Sequence, residues 1–237
     1  VLLLIHGLLG HMRGFDGLAP DLLGYGSQQE TSSSITLAAQ VAYLHSILGS
    51  EGIEEPIHLA GHSIGGAIAM LFANSYPSLV RSVISIEGNF TLRDAFWSKQ
   101  IAESPLPEVE RMLLADQHDP NAWLARSGVT PSAERTRAAL SHLTNQPAST
   151  MHAMAKSVVE TTGAAAYLSA VRSVLERGTP VHLIAGERSR DAWDVPGFVL
   201  GAAQSMSVIP NTGHLITIES PHAFQAILSH VCGRATN

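Results

Sequence analysis

Ile57-His58-Leu59-Ala60-Gly61-His62-Ser63-Ile64-Gly65-Gly66-Ala67-Ile68-Ala69 decides the reading of this chain. A short apolar run meets a serine flanked by glycines, and a small-residue helical pattern follows at once. This is G-x-S-x-G between a predicted strand and a predicted helix, the context that carries a serine on a sharp strand-to-helix turn. Gly61 and Gly65 leave room for strand and helix to approach closely. The turn lifts the Ser63 hydroxyl above the sheet edge, where a base can reach it. It also aims N–H groups of the helix start at the same spot, where they can stabilise an oxyanion. A glycine-rich turn with an incidental serine would read the same way, so the partners of Ser63 have to be found elsewhere in the chain.

Outward from this turn, strands and helices alternate. Val1-Leu2-Leu3-Leu4-Ile5 is an all-apolar run, as expected of a strand covered on both faces. Gly17-Leu18-Ala19-Pro20-Asp21 reads as a strand stub that closes in the turn Gly24-Tyr25-Gly26. A helix is predicted over 34–48, with Leu37, Val41, Leu44 and Leu48 at helical spacing. Further strands are predicted over 56–60, 79–86, 180–185 and 205–209, and helices over 64–75, 164–177 and 221–231. Between about 90 and 162 only helical periods occur, over 97–102, 108–115, 121–125, 133–143 and 150–159. The pattern predicts an α/β fold with a doubly wound, mostly parallel sheet and right-handed crossovers. Residues 1–90 and 163–237 form its core, and residues 91–162 form an inserted helical cap over the strand ends, where open α/β sheets place their ligands.

Composition narrows the class. The chain has 237 residues, 45% of them hydrophobic and 14% charged, which suits one globular α/β domain with an insertion. Its net charge is -6 and it has no basic cluster, so nucleic-acid binding has no electrostatic footprint. Cys232 is the single cysteine, which leaves no intrachain disulfide and no cysteine-rich zinc site. No apolar run approaches the length of a membrane span. The expected location is cytoplasmic. The chain opens on Val1 inside a strand, so an N-terminal segment, with any signal it carried, is expected to be missing. The oligomeric state is left open.

A serine hydroxyl needs a base. The best placed histidine is His214 in Pro210-Asn211-Thr212-Gly213-His214, a loop between the last strand and the last helix, at the same sheet edge as Ser63. His58 and His182 fall inside strands, His222 and His230 on the last helix, His45 on an early helix, and His118, His142 and His152 in the inserted block. These read as surface or packed histidines. No metal-binding spacing such as H-E-x-x-H occurs, so neither metal nor other cofactor is expected.

His6-Gly7, Asp21-Leu22-Leu23-Gly24-Tyr25-Gly26, Gly61-His62-Ser63-Ile64-Gly65-Gly66 and Gly213-His214 stand in an order that resembles the α/β-hydrolases over nearly the whole chain outside the inserted block. The resemblance implies Ser63 as nucleophile, His214 as base, and the N–H groups of Leu8 and Ile64 as oxyanion donors. It implies an eight-stranded sheet with a helical cap, of which this chain's first run matches the third strand and the first two are lacking. The stretch between His6-Gly7 and Asp21 is shorter than in typical relatives, so an element there must be trimmed.

The acid departs from the common pattern. Relatives carry it a few residues beyond the glycine that ends the next-to-last strand. Here that segment is Gly186-Glu187-Arg188-Ser189-Arg190-Asp191, with Ser189 at the expected position. Some α/β-hydrolases, haloalkane dehalogenases among them, carry the acid instead at the end of the strand after the nucleophile helix, here Glu87. Glu87 is the first candidate, Asp191 the alternative if the loop bulges, and another group is left open. Trp97, Met112, Trp123, Met151 and Met154 of the inserted block are candidates to line an apolar substrate pocket, though they suit packing between cap helices equally well.

The resemblance implies a cofactor-free serine hydrolase acting on an ester, lactone or thioester of a small, partly apolar substrate. Alternatives are a C–C bond hydrolase, a lyase or a haloperoxidase on the same fold, or a ligand-binding protein with little turnover.

Overall fold

The apolar runs become neighbouring parallel strands. In the computed structural model, which describes residues 1–31 and 34–233, β1 (Leu2–Ile5) leads to α1 (Leu37–Ser50), β2 (Ile57–His62), α2 (Ile64–Ser75) and β3 (Val80–Ile86). There follow α3 (Phe96–Glu103), α4 (Leu106–His118), α5 (Pro120–Arg126), α6 (Ala133–Leu143), α7 (Ala148–Gly163) and α8 (Ala165–Glu176). The chain then returns to β4 (Val181–Gly186), α9 (Gly197–Ala202), β5 (Ser205–Ile209), α10 (Ile216–Glu219) and α11 (Pro221–Val231). Among the described residues the strands lie in the order β1-β2-β3-β4-β5, and every neighbouring pair is parallel.

Alternate residues of each strand enter opposite cores. Leu3, Ile5, Leu59, Val83 and Leu183 pack with Leu44 of α1, Phe72 of α2 and Val171 of α8. Leu2, Leu4, Ala60, Ile84, Ile86 and Ile184 pack with Phe224 and Leu228 of α11. Both faces are covered, which is why the strands read as apolar runs without polar alternation.

The stub at 17–21 forms no strand of its own. Leu18 alone bridges β1, its N–H donating to Leu2 O and its O accepting from Leu4 N–H, each at 2.8 Å. Leu2 and Leu4 face away from β2, so the chain leaves β1 to one side and later adds β2 on the other. The crevice outside the carboxyl ends at such a reversal is the preferred ligand position of open α/β sheets. The helix predicted from Ser34 starts at Leu37, because Thr36 takes the cap and its Oγ accepts Ala39 N–H at 3.1 Å. Ser32 and Ser33 lie outside the described residues. The short helices α9 and α10 carry too few turns to show a period, and the sequence reading did not include them.

Two glycines fix the approach of β2, α2 and β1. A β-carbon on Gly61 would lie 2.1 Å from Gly65 O, and one on Gly65 2.2 Å from Ile5 O. No side chain fits at either, so the head of α2 sits directly against the ends of β1 and β2.

Candidate active site

Ser63 stands between β2 and α2 with φ 54° and ψ −122°. A non-glycine residue in this region stores about 1–3 kcal/mol of strain and persists only where its surroundings over-determine it. They do so here: Ser63 N–H donates to Ile86 O at 3.0 Å, and Ser63 O accepts from Gly66 N–H at 2.9 Å and Asn89 N–H at 3.1 Å. The hydroxyl makes no hydrogen bond among the described residues.

The next strand ends the same way. His62 is in register with Ile86, so Ser63 and Glu87 are the next residues on neighbouring strands, and Glu87 also has a positive φ, 41°. Glu87 is buried, and its Oε2 meets Nδ1 of His214 at 2.6 Å. Its Oε1 accepts from Gly186 N–H at 2.8 Å and from the Ser189 hydroxyl at 2.5 Å. Burial pushes this carboxyl up. The His214 hydrogen bond and charge, then Ser189 and Gly186, outweigh burial and hold it below the usual carboxylate range. An ionised carboxylate only accepts, so Nδ1 carries the proton and Nε2 is left as an acceptor.

Asp191 is not in this constellation. It pairs with Arg190 and its side chain is 85% exposed. After the turn at 190–192 the loop turns back to the segment that follows β3, where Trp193 Nε1–H donates to Gly88 O at 2.8 Å. Asp194 is taken by Thr91 at 2.6 Å and Arg93 at 3.3 Å.

Neighbouring side chains set the backbone of the site. His62 Nε2–H donates to His214 O at 2.9 Å, and the two rings lie 4.7 Å apart. Burial, and then the charge on His214, lower the His62 pKa to about 3, so His62 stays neutral beside a ring that can take a proton. His6 Nδ1–H donates to Gly7 O at 2.9 Å, while its Nε2 accepts Leu22 N–H at 3.4 Å. A trans peptide points its C=O and N–H in opposite directions, so this bond turns Leu8 N–H away from His6. Tyr25, edge-on to His6 at 4.6 Å, donates its hydroxyl to Leu8 O at 3.0 Å. A β-carbon on Gly7 would lie 3.3 Å from Ser63 Cβ, which shows how close this loop runs to the serine. Leu8 and Ile64 are buried, and among the described residues neither N–H has a hydrogen-bond partner. Amides without a protein partner can receive an anion.

The loop bearing His214 is held from behind. Glu219 accepts Gly213 N–H at 2.8 Å and Arg188 at 2.5 Å, and Arg188 also donates to Gly128 O at 3.0 Å and to Asn211 O. Of the five candidate pocket residues, Trp123, Met151 and Met154 belong to the apolar core, Trp97 packs against it, and Met112 is half-buried. None is hydrogen-bonded to or stacked on Ser63 or His214 among the described residues. His58 and His182 are strand histidines bonded across the sheet to Ser82 at 2.7 Å and Ser205 at 2.8 Å. Sequence reasoning missed the roles of His62, Tyr25, Arg188, Ser189 and Glu219. For Ser189 the signal was its position at the place expected of the acid.

Among the described residues no three histidine, cysteine or carboxylate side chains are grouped to hold a metal ion. No helix is long and apolar enough to cross a membrane. Among curated proteins, Lipase 1 of Psychrobacter immobilis is 35% identical over 114 residues, 44% of this chain and 34% of the lipase. The aligned part thus spans about a third of that relative's length. Among solved structures, a carboxylesterase of the thaumarchaeon Nitrososphaera gargenis has a TM-score of 0.73 at 18% identity, covering 98% of this chain and 89% of that one. The N-acyl homoserine lactonase AidH, in complex with N-hexanoyl homoserine lactone, has a TM-score of 0.68 at 18% identity, covering 98% and 89%. The model of the alpha/beta hydrolase family matches residues 2–227, and the chain belongs to that family.

Proposed function

We propose that this protein hydrolyses an ester, lactone or thioester of a small, partly apolar substrate through an acyl-enzyme on Ser63, without a cofactor. The observation that carries this reading is the buried Glu87 carboxylate 2.6 Å from Nδ1 of His214, at the register position beside a strained serine. Glu87 holds His214 in the tautomer whose Nε2 can accept. His214 takes the Ser63 proton as the hydroxyl attacks the carbonyl. The N–H groups of Leu8 and Ile64 receive the oxyanion, and imidazolium then protonates the leaving group. Water repeats the cycle on the acyl-enzyme. The Ser63 hydroxyl makes no hydrogen bond among the described residues, and catalytic hydrogen bonds of this kind tighten when substrate binds. The helices of residues 91–162 serve as the cap over this crevice. Relatives named as lipase, carboxylesterase and lactonase support ester-like substrates.

The test is a pre-steady-state burst from a p-nitrophenyl ester together with fluorophosphonate labelling, both lost in Ser63→Ala. Absence of burst and label in the wild type overturns the reading in favour of a binding protein. An acyl-chain series and a lactone panel then define the substrate.

A further inference from the structure

Glu87 is held from two sides, and only one of them is the histidine. A glutamate has three side-chain torsions, and the last is broad. Left to itself, the carboxylate would present a changing face to His214. Two donors remove that freedom: Gly186 N–H at 2.8 Å and the Ser189 hydroxyl at 2.5 Å both meet Oε1. We infer that Ser189 is a positioning residue for the Glu87–His214 pair, its hydroxyl fixing Oε1 so that Oε2 is turned to Nδ1. The inference rests on the reaction proposed above for the meaning of that pair.

The hydroxyl has a choice of acceptors, Glu87 Oε1 at 2.5 Å or Gly186 O at 3.4 Å. The shorter contact to a charged oxygen takes the proton. Ser189 is itself anchored. Its N–H donates to Gly186 O at 3.2 Å and its O accepts Ala192 N–H at 3.0 Å. The residues before it grip the loop that carries the base. Glu187 N–H donates to Ile209 O and Arg188 N–H to Thr212 O, each at 3.0 Å, and Glu187 Oε2 accepts Asn211 N–H at 2.8 Å. One short segment therefore touches the base loop along its length and the acid at its end. It keeps Glu87 and His214, which arrive from opposite parts of the sequence, in a single register. The titratable and charged groups around the pair are His62 from β2, whose ring lies 4.7 Å from that of His214 at a tilt of 37°, and the Arg188–Glu219 ion pair behind Gly213.

Ser189→Ala and Ser189→Thr test this with p-nitrophenyl ester kinetics and the proton NMR signal of the His214 Nδ1–H. Loss of one hydrogen bond to a charged group predicts kcat lower by about ten- to thirtyfold with KM within about twofold, because the substrate itself is not touched. Threonine keeps the hydroxyl and returns kcat to within about threefold of wild type. In Ser189→Ala the His214 Nδ1–H signal, far downfield while the proton sits in the 2.6 Å contact with Glu87, moves upfield and broadens as the carboxylate wanders. A merely structural Ser189 would lower the melting temperature and leave both kcat and this signal in place, and that result overturns the inference. An unchanged Nδ1–H signal in Ser189→Ala overturns it as well. If the wild type neither turns over ester nor labels at Ser63, the proposed reaction fails, and the Nδ1–H signal still decides the role of Ser189.

Discussion

Replacing Glu87 by glutamine exchanges one oxygen for nitrogen, and the surrounding donors dictate the outcome. Gly186 N–H and the Ser189 hydroxyl both donate to Oε1, so the amide must present its carbonyl oxygen to them. The amide nitrogen then occupies the place of Oε2, 2.6 Å from Nδ1 of His214. An amide NH2 donates and cannot accept, so Nδ1 must become an acceptor and the imidazole proton moves to Nε2. A ring protonated at Nε2 cannot take the Ser63 proton, and its cation has lost its carboxylate. The corresponding acid-to-amide exchange in a Ser-His-Asp protease lowers kcat about 10⁴-fold through the same tautomer error. That factor corresponds to about 5 kcal/mol of transition-state stabilisation. Stopped-flow release of p-nitrophenol measures the acylation step directly, with thermal melting as the control for folding. Glu87→Gln should keep most of its melting temperature, because the amide can keep the Oε1 contacts. A kcat within about tenfold of wild type would refute this reasoning, and so would a comparable loss in Asp191→Asn, which should stay within about twofold.

Gly65→Ala puts a β-carbon 2.2 Å from Ile5 O and 2.7 Å from His6 O; backbone must move, and urea unfolding should show a loss of about 3 kcal/mol, the upper end for overpacking. Tyr25→Phe leaves Leu8 O without its donor, and should cost about 1–2 kcal/mol of stability and lower kcat severalfold; an unchanged urea midpoint would count against it. The buried histidines His6 and His62 have pKa values lowered to about 4 and about 3, chiefly by burial. Each is neutral in the fold and takes up a proton on unfolding below its ordinary pKa. Stability is therefore fully present above about pH 6.5 and falls by about 1.4 kcal/mol per pH unit for each ring as pH drops toward the folded values. The raised Asp94 and Asp116 oppose this fall above pH 3.8, while loss of the lowered Glu87 and Asp21 carboxylates adds to it below pH 4.5 and 3.8 respectively. A urea midpoint that stays flat from pH 7 to about 4.5 would contradict that sign. EDTA should leave ester turnover unchanged, measured after overnight dialysis.

The parallel sheet was legible because each buried strand is apolar on both faces, and the turn at Ser63 because two glycines must flank it for steric reasons. Helix ends were less legible. Thr36 caps α1 through one hydroxyl, and nothing in the spacing of Leu37, Val41 and Leu44 marks that residue as the boundary. The position of Glu87 followed from counting one helix and one strand beyond the serine, and the observed register of His62 with Ile86 is the physical form of that count. What stayed hidden were bonds between distant segments. His62 to the carbonyl of His214, Tyr25 to Leu8 and Arg188 to Gly128 join residues far apart in sequence, and no local pattern announces them. The methionines and tryptophans of 91–162 were ambiguous for a different reason: an apolar side chain looks alike whether it faces a substrate or its neighbours.

Ser63 and Glu87 are non-glycine residues held at left-handed backbone angles on adjacent strand ends. Both positions carry a conformational debt that glycine would not. The Glu87 side chain offsets its strain with hydrogen bonds to Gly186, Ser189 and His214, whereas the Ser63 hydroxyl makes none among the described residues. A mutant library of this protein sorted for heat resistance alone should therefore accumulate glycine at 63, and each such clone would lack the hydroxyl on which the proposed reaction depends. Any directed evolution of this scaffold has to screen turnover in the same round as survival.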